Sequence, residues 1–150
     1  MDLQVRRARI KDLDKLVIFA FQEAREAEGV EKARATLRAG IETALKNEDI
    51  AIYWVLVDES DEPVGNVSAL REWSNWNAGY YWWIQSIYVS PAYRGKGYSS
   101  QLLDTVRTEA KAQGGLDLRL YVHKDNIRAV KAYEKSGFFE SEYIIMTREI

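Results

Sequence analysis

The sequence has no cysteine and, among 150 residues, one histidine and two prolines. Without cysteine there is no disulfide framework, thiol nucleophile or zinc–thiolate site, and the single His123 argues against a histidine-rich metal centre. The sequence also lacks an apolar run long enough to span a bilayer. Its first residues, MDLQVRRARIKD, lack the apolar segment of a secretion signal. We therefore expect a cytoplasmic protein with no metal and no membrane partner.

The sequence also lacks an excess of either charge, since its 21 Lys and Arg nearly balance its 23 Asp and Glu and the formal net charge is −2. This balance gives no net attraction to nucleic acid or to an anionic membrane. The apolar content of 47% and charged content of 29% are ordinary for a soluble globular protein. A chain of this length supports one domain with a substantial core. We expect a single domain over residues 1–150 and no nucleic-acid partner.

Hydrophobic periodicity predicts strand, two helices, three strands, helix, strand, helix and closing β structure. Alternation predicts strands over 3–10, 50–57, 64–70, 80–89 and 116–122, with FFESEYIIMTREI as the closing part. Asp12 is predicted to cap the first helix, and a second helix carries Val30, Ala33 and Leu37 along one face. A helix after residue 97 makes a βαβ crossover, and the last helix spans 126–135. These elements predict a mixed α/β (α+β) domain with a largely antiparallel sheet flanked by helices.

The stretch SPAYRGKGYSSQLL, residues 90–103, places two glycines between a strand and a helix. The first turn of a helix has unpaired N–H groups and a partial positive charge. Gly95 and Gly97 lack the Cβ atoms that would keep an anion away from these donors, and Arg94 and Lys96 add charge. The pattern predicts a phosphate or pyrophosphate site on the main-chain N–H groups of residues 95–100.

A structural glycine-rich turn with solvated basic residues is the alternative interpretation of this loop. The spacing matches neither G-x-x-x-x-G-K-[ST] nor G-x-G-x-x-G. Nucleotide hydrolysis and dinucleotide binding are therefore disfavoured.

The segment IQSIYVSPAYRGKGYSSQLL resembles the central motif of the GNAT superfamily of acyl-CoA N-acyltransferases, [RQ]-x-x-G-x-[GA]. Arg94, Gly97 and Ser99 occupy the signature positions, with Ser99 in place of the usual Gly or Ala. Downstream, NIRAVKAYEKSGF is similar to the family segment N-x-x-A-x-x-x-Y-x-x-x-G-[FM], whose first and aromatic positions are Asn126 and Tyr133. The predicted element order also fits this family over the whole chain.

The resemblance implies that acetyl-CoA lies in a V-shaped opening where strands 80–89 and 116–122 splay apart. It implies that the pantetheine arm and the thioester oxygen meet the backbone of Ile87, Tyr88 and Val89. Asn126 would contact the same arm. The pyrophosphate would lie on the loop of Arg94, Gly95, Lys96, Gly97, Tyr98, Ser99 and Ser100.

Tyr133 is the general acid that the resemblance implies, because its phenol would lie beside the departing sulfur. Asn126 and Tyr133 are seven residues apart on one predicted helix and therefore share a face. On spacing alone, Tyr133 also fits a core aromatic residue, and Asn126 a helix cap.

The general base is not evident, because Gln85 stands where many family members have a glutamate, two residues before the I-Y-V triplet. An amide cannot accept a proton at neutral pH. Glu72 is our candidate, with a solvated loop carboxylate as its alternative. A water chain, an amine that arrives neutral, and His123 are further options.

The segment EWSNWNAGYYWWIQ holds four of the five tryptophans. We expect Trp73 and Trp76, outside the strand proper, to contact the acceptor together with Gln85, by stacking or by cation–π contact. Trp82 and Trp83 are expected to pack in the core. A homodimer surface is the alternative for the exposed aromatic residues.

The leading hypothesis is an N-acetyltransferase that moves an acetyl group directly from acetyl-CoA to a primary amine of a small molecule, with a peptide or protein acceptor as its less favoured variant. The second hypothesis is a non-catalytic acyl-CoA-binding or sensing domain, and Gln85 in place of the glutamate favours it.

Overall fold

The computed structural model describes residues 3–150, and over this range the chain forms a five-stranded sheet of order β1-β2-β3-β4-β5. The pairs are antiparallel except β4–β5, which is parallel. This confirms the predicted fold class, with the crossover running through α3. The elements are β1 (Gln4–Arg7), α1 (Leu13–Glu28), α2 (Arg34–Leu45), β2 (Ile52–Val57), β3 (Pro63–Ser74), β4 (Gly79–Val89), α3 (Tyr98–Ala112), β5 (Leu118–Leu120) and α4 (Ile127–Lys135).

The sheet separates one hydrophobic cluster from another in the described chain. Leu56 belongs to the cluster beneath α3, whereas its neighbour Val55 belongs to the cluster beneath α1 and α2, and both are fully buried. Successive side chains of a strand point to opposite faces, so β2 is buried on both sides. Leu102 and Val106 of α3, four residues apart, complete the first cluster as the predicted helical stripe.

A β-bulge interrupts β4. Ser86 is opposite Ser68 and Ile84 is opposite Ala69, so β4 contains one additional residue, Gln85, between these pairs. A bulge of this kind bends the strand and increases its twist.

The bulge also reverses the alternation of side chains along β4. Trp82 and Ile84 pack into the cluster beneath α3, and so do Ile87 and Val89, although their numbers change from even to odd. Tyr88 belongs to the α1 side. One strand thus contributes to the same core before and after Gln85.

The sheet opens next to this bulge. Pairing of β4 with β5 begins at Trp82–Leu118 and ends at Ile84–Leu120, while pairing of β4 with β3 continues to Val89. Residues 85–89 of β4 therefore border a gap on the β5 side, which is the splay that the resemblance implies.

The N-terminal elements differ from the predictions at Asp12. Strand β1 ends at Arg7, and a 3₁₀ turn over Ile10–Asp12 precedes α1. Asp12 stands at the N-cap position of α1, but its carboxylate makes no capping bond there; it turns back to accept hydrogen bonds from the Arg9 N–H at 2.8 Å and the Arg6 guanidinium. The position of the predicted cap is therefore right and its hydrogen bond is wrong, because the half-buried Arg6 competes for the carboxylate.

Three other boundaries also differ. Strand β3 extends to Ser74, so Trp73 lies within a strand, and α2 begins at Arg34, beyond Val30. Strand β5 covers Leu118–Leu120, shorter than the predicted 116–122.

The closing β structure is wrong. In the part of the chain that the structure describes, residues 138–150 contain no helix or strand, and Phe139, Ile144 and Met146 are exposed. Alternating apolar residues form a strand only beside a partner strand. Within residues 3–150 no helix is long and apolar enough to cross a membrane.

Candidate active site

The glycine loop is open to an anion. Gly95 and Gly97 have left-handed φ angles of +77° and +84°, and a Cβ atom added to either would meet nothing within 4 Å. Helix α3 begins at Tyr98, and the Gln101 N–H donates to the Gly97 carbonyl at 3.1 Å. Within residues 3–150, the N–H groups of Ser99 and Ser100 have no protein acceptor. This geometry is consistent with the predicted phosphate site, whose occupancy stays a prediction.

Arg94 connects this loop to β4 and to α1. Its guanidinium donates to the Val89 carbonyl at 2.8 Å and to both oxygens of Glu26 at 2.7 and 3.0 Å. The same guanidinium lies 5.2 Å from the ring centroid of Tyr88. Arg94 therefore already has an acidic partner, and its hydrogen bond to that carboxylate lowers the pKa of Glu26. The exposed Lys96 supplies the charge at the loop rim.

A carboxylate that the sequence analysis missed borders the gap. Glu23 Oε2 accepts a hydrogen bond from the Ile87 N–H at 3.0 Å. Burial raises the pKa of Glu23 to about 7; the hydrogen bond from Ile87 opposes the shift, and the charges of Glu26 and Glu28 add to it. The resemblance implies that the N–H of Ile87 faces the thioester oxygen, and here a protein side chain occupies it. By the alternation of a strand, the Val89 N–H points to the same edge.

The sequence does contain a signal for Glu23, although a weak one. The run EAREAE is typical of a solvated helix face, but residue 23 is four after Phe19 and seven after Leu16, both buried. An acidic residue on the buried stripe of a helix is uncommon.

Tyr133 lies on α4, and Asn126 immediately precedes this helix. The Asn126 side chain caps this helix by accepting a hydrogen bond from the Ala129 N–H at 3.3 Å, and its contact with the cofactor stays a prediction. Tyr133 is half-buried against the α3 cluster, with its ring centroid 5.9 Å from that of Phe138. Burial and then the charge of Glu23 raise the pKa of Tyr133 to about 12, so its phenol stays protonated at neutral pH.

A cavity of about 210 Å³ lies beside the bulge. The Trp83 and Tyr121 rings stack on each other with centroids 4.5 Å apart, and Trp83 Nε1 donates to Glu72 Oε1 at 3.3 Å. Trp82 is in the core as expected, whereas the prediction that Trp83 is a core residue is wrong, because its ring lines this cavity. The lining residues are Leu70, Glu72, Trp83, Ile84, Gln85 and Tyr121.

The structure thus brings Glu72 and Gln85 together but places two predicted acceptor residues elsewhere. Trp73 and Trp76 are at the tip of the β3–β4 hairpin, with 54% and 92% of their surface exposed. Trp73 packs edge-on against Tyr80 at 5.1 Å. Glu72 lies in β3 rather than in a loop, because that strand is longer than predicted.

His123 is exposed beyond β5, with Nδ1 3.9 Å from the Asp125 carboxylate. No group of three or more potential metal-ligating side chains occurs in residues 3–150.

Together, the open glycine loop and the gap between β4 and β5 define an α/β domain suited to an extended anionic ligand. The sequence matches the Acetyltransferase (GNAT) family over residues 12–138, and the chain belongs to this family. This confirms the family that the two motifs indicated.

Known structures support the assignment. A possible acetyltransferase from Clostridium difficile 630 is 33% identical, with a TM-score of 0.93 over 99% of this chain and 97% of that one. A predicted acetyltransferase with acetyl-CoA from Clostridium acetobutylicum shares the fold at 21% identity, with a TM-score of 0.80 over 98% of this chain and 96% of that one.

Among curated relatives, the mycothiol acetyltransferase of Corynebacterium efficiens is 33% identical over 82% of this chain and 38% of its own length. The matched region spans between 21% and 50% of the length of the curated relatives.

Proposed function

We propose that this protein is an acetyl-CoA-dependent N-acetyltransferase that acts on a primary amine of a small molecule. The observation that carries the proposal is the gap beyond Ile84, which has the open glycine loop at one end and the cavity of Glu72, Trp83 and Gln85 beside it. The relative that was solved with acetyl-CoA and the mycothiol acetyltransferase relative support it.

The donor would bind through main-chain groups. The N–H groups of Ser99 and Ser100, at the positive end of α3, would hold the pyrophosphate, and Lys96 would add charge. The pantetheine arm would follow the unpaired edge of β4 along Val89. A main-chain N–H aimed at the thioester oxygen stabilises the charge that develops when an amine attacks.

The acceptor would enter from the cavity. The carboxylate of Glu72 suits an ammonium group, which is attracted to negative charge, and the stacked rings of Trp83 and Tyr121 form an aromatic wall of the same cavity. A volume of about 210 Å³ accommodates one amine-bearing group, and the thiol-release assay distinguishes a small molecule from a peptide as its carrier.

Release of free CoA thiol tests the proposal. The protein is mixed with acetyl-CoA and a panel of small primary amines and short peptides, and thiol is followed with time. We expect thiol release that depends on a small amine. Release with peptides alone would favour the peptide acceptor. Tight acetyl-CoA binding with no amine-dependent release would favour the sensor and contradict the enzyme. Trp83→Ala should raise the KM for the amine, with Trp76→Ala as the matched control outside the cavity.

A further inference from the structure

The Glu23 carboxylate projects from α1 to the unpaired edge of β4. Its Oε2 atom lies 3.0 Å from the N–H of Ile87, two residues beyond the bulge and three beyond the last residue paired with β5. A side chain from the helical layer thus reaches the place where the sheet is open. In the proposed enzyme, acceptor nitrogen and acetyl carbon would meet at this opening.

The second oxygen of Glu23 is accessible. Oε1 accepts no hydrogen bond from residues 3–150. In the same part of the chain, every buried side-chain nitrogen or oxygen atom has a partner. Oε1 is therefore not fully buried, and one carboxylate oxygen is fixed by the backbone while the other can take a proton.

The groups around Glu23 favour its uncharged form. Tyr133 from α4 and Tyr53 from β2 both lie close enough for the charge of Glu23 to raise their pKa values. Burial is the main cause of the raised pKa of Glu23, and the charges of Glu26 and Glu28 on its own helix add to it. Arg94, the cation of the glycine loop, is paired with Glu26. A carboxylate with a pKa near 7 is matched to proton transfer at neutral pH.

We propose that Glu23 is the general base of the acetyl transfer, in the role left open by Gln85. The inference rests on the proposed function. Glu72, the candidate from the sequence, is exposed and lines the cavity, whereas Glu23 is largely buried at the unpaired edge of β4. In this proposal Glu72 binds and orients the ammonium, and Glu23 removes its proton.

The step balances as follows. Glu23 Oε1 takes one proton from the acceptor ammonium, leaving a neutral amine with a free electron pair. The free electron pair of the nitrogen forms a bond to the acetyl carbon while the carbon–sulfur bond breaks. The sulfur leaves as a thiolate with the electron pair of the broken bond. The thiolate takes a proton from the attacking nitrogen through Tyr133. The proton on Glu23 then passes to solvent, so each turnover yields an amide, a free thiol and one released proton.

Glu23→Gln tests this role, because the amide keeps the shape and can still accept the Ile87 hydrogen bond. We expect kcat to fall by about 100-fold or more, while the Kd for acetyl-CoA, measured by calorimetry, changes by less than about threefold. Glu42→Gln, which removes the same charge from the surface of α2 where Glu42 pairs with Lys46, is the matched control and should keep kcat.

The pH profile separates a base from a structural residue. In the wild type, log kcat should rise with a limb near pH 7, and this limb should not move between two acceptors whose own pKa values differ. The limb should disappear in Glu23→Gln. A variant that keeps the wild-type kcat or the limb would overturn the inference and leave the proposed function intact. A wild type that releases no thiol with any amine would overturn both.

Discussion

The guanidinium of Arg94 and the carboxylate of Glu26 form a two-point ion pair, with N···O distances of 2.7 and 3.0 Å, between the glycine loop and α1. The loop that would hold the pyrophosphate is thereby attached to the helix that carries Glu23. A third bond, from Arg94 to the Val89 carbonyl, attaches it to the open edge of β4.

Arg94→Met should weaken acetyl-CoA binding by about tenfold, because a loop that is no longer fixed must be ordered when the ligand binds. The free energy of unfolding should fall by only about 1 kcal/mol, since the ion pair is partly exposed. Calorimetric titration and urea denaturation measure the two effects. Glu26→Gln keeps the bond from Arg94 to Val89 and should therefore lose less affinity than Arg94→Met. An equal loss of affinity in both variants would mean that the bond to Val89 does not help to fix the loop.

Gly97→Ala should destabilise the protein by about 1–2 kcal/mol, because a φ of +84° is unfavourable for any residue with a Cβ. The effect is one of backbone strain alone, since the added atom meets nothing within 4 Å. Gly40→Ala in α2 is the matched control, with equal space and an ordinary φ, and it should stabilise by about 0.5–1 kcal/mol. Urea denaturation gives the change in the free energy of unfolding for each variant. A change of the same sign in both variants would contradict the prediction.

Tyr133→Phe should lower kcat while the Kd for acetyl-CoA stays nearly unchanged, if the phenol passes a proton to the sulfur. Because the pKa of Tyr133 is about 12, its ionisation should leave the wild-type rate profile unaffected up to about pH 10. Steady-state kinetics and calorimetry measure both quantities. Lost affinity with unchanged kcat would instead assign Tyr133 to packing.

Glu23→Gln should stabilise the protein at pH 8.5 and have little effect near pH 4. The pKa of Glu23 is raised in the folded state, from 4.5 to about 7, so the folded protein binds this proton more tightly than the unfolded chain does. Charged Glu23 therefore lowers stability progressively from pH 4.5 to pH 7, by as much as about 3 kcal/mol above that range. Thermal unfolding at several pH values tests this, and a pH-independent difference would contradict it.

Arg6→Met should cost about 3 kcal/mol or more, because it leaves the Asp12 carboxylate, only 2% exposed, without its two bonds of 2.9 and 3.0 Å to the guanidinium. Lys11→Met is the matched control, since Lys11 pairs with the same Asp61 as Arg6 but at the surface, and should change stability by less than about 1 kcal/mol. Urea denaturation of the two variants checks the contrast. Comparable losses would mean that the buried pair contributes no more than the exposed one.

Local patterns in the sequence predicted much of this fold. The stripe of Leu102 and Val106, the alternation around Trp82 and the glycines of the loop each depend on residues close along the chain. The order of elements up to α4 and the position of the proposed anion site follow from these patterns.

Features fixed by distant contacts were missed. Glu23 contacts Ile87, which lies 64 residues further along the chain. Tyr121, just beyond β5, stacks on Trp83 of the neighbouring strand β4. The turned-back Asp12 depends on the packing of Arg6. The alternation of β4 indicated neither the extra residue Gln85 nor the reversal that follows it, because a bulge is detected only by comparison with the neighbouring strand.

Gln85 is a residue of β4 whose removal would leave the register with β3 intact. Without it, Ile84 and Ser86 would follow each other opposite Ala69 and Ser68, and Ile87 and Val89 would still point into the core. The bend would be lost with the bulge, and a straighter β4 would be free to continue its pairing with β5 past Ile84. Deletion of Gln85 should therefore be tolerated by the fold but should close the gap in which acetyl-CoA is proposed to bind, whereas deletion of a neighbouring residue would also shift the register.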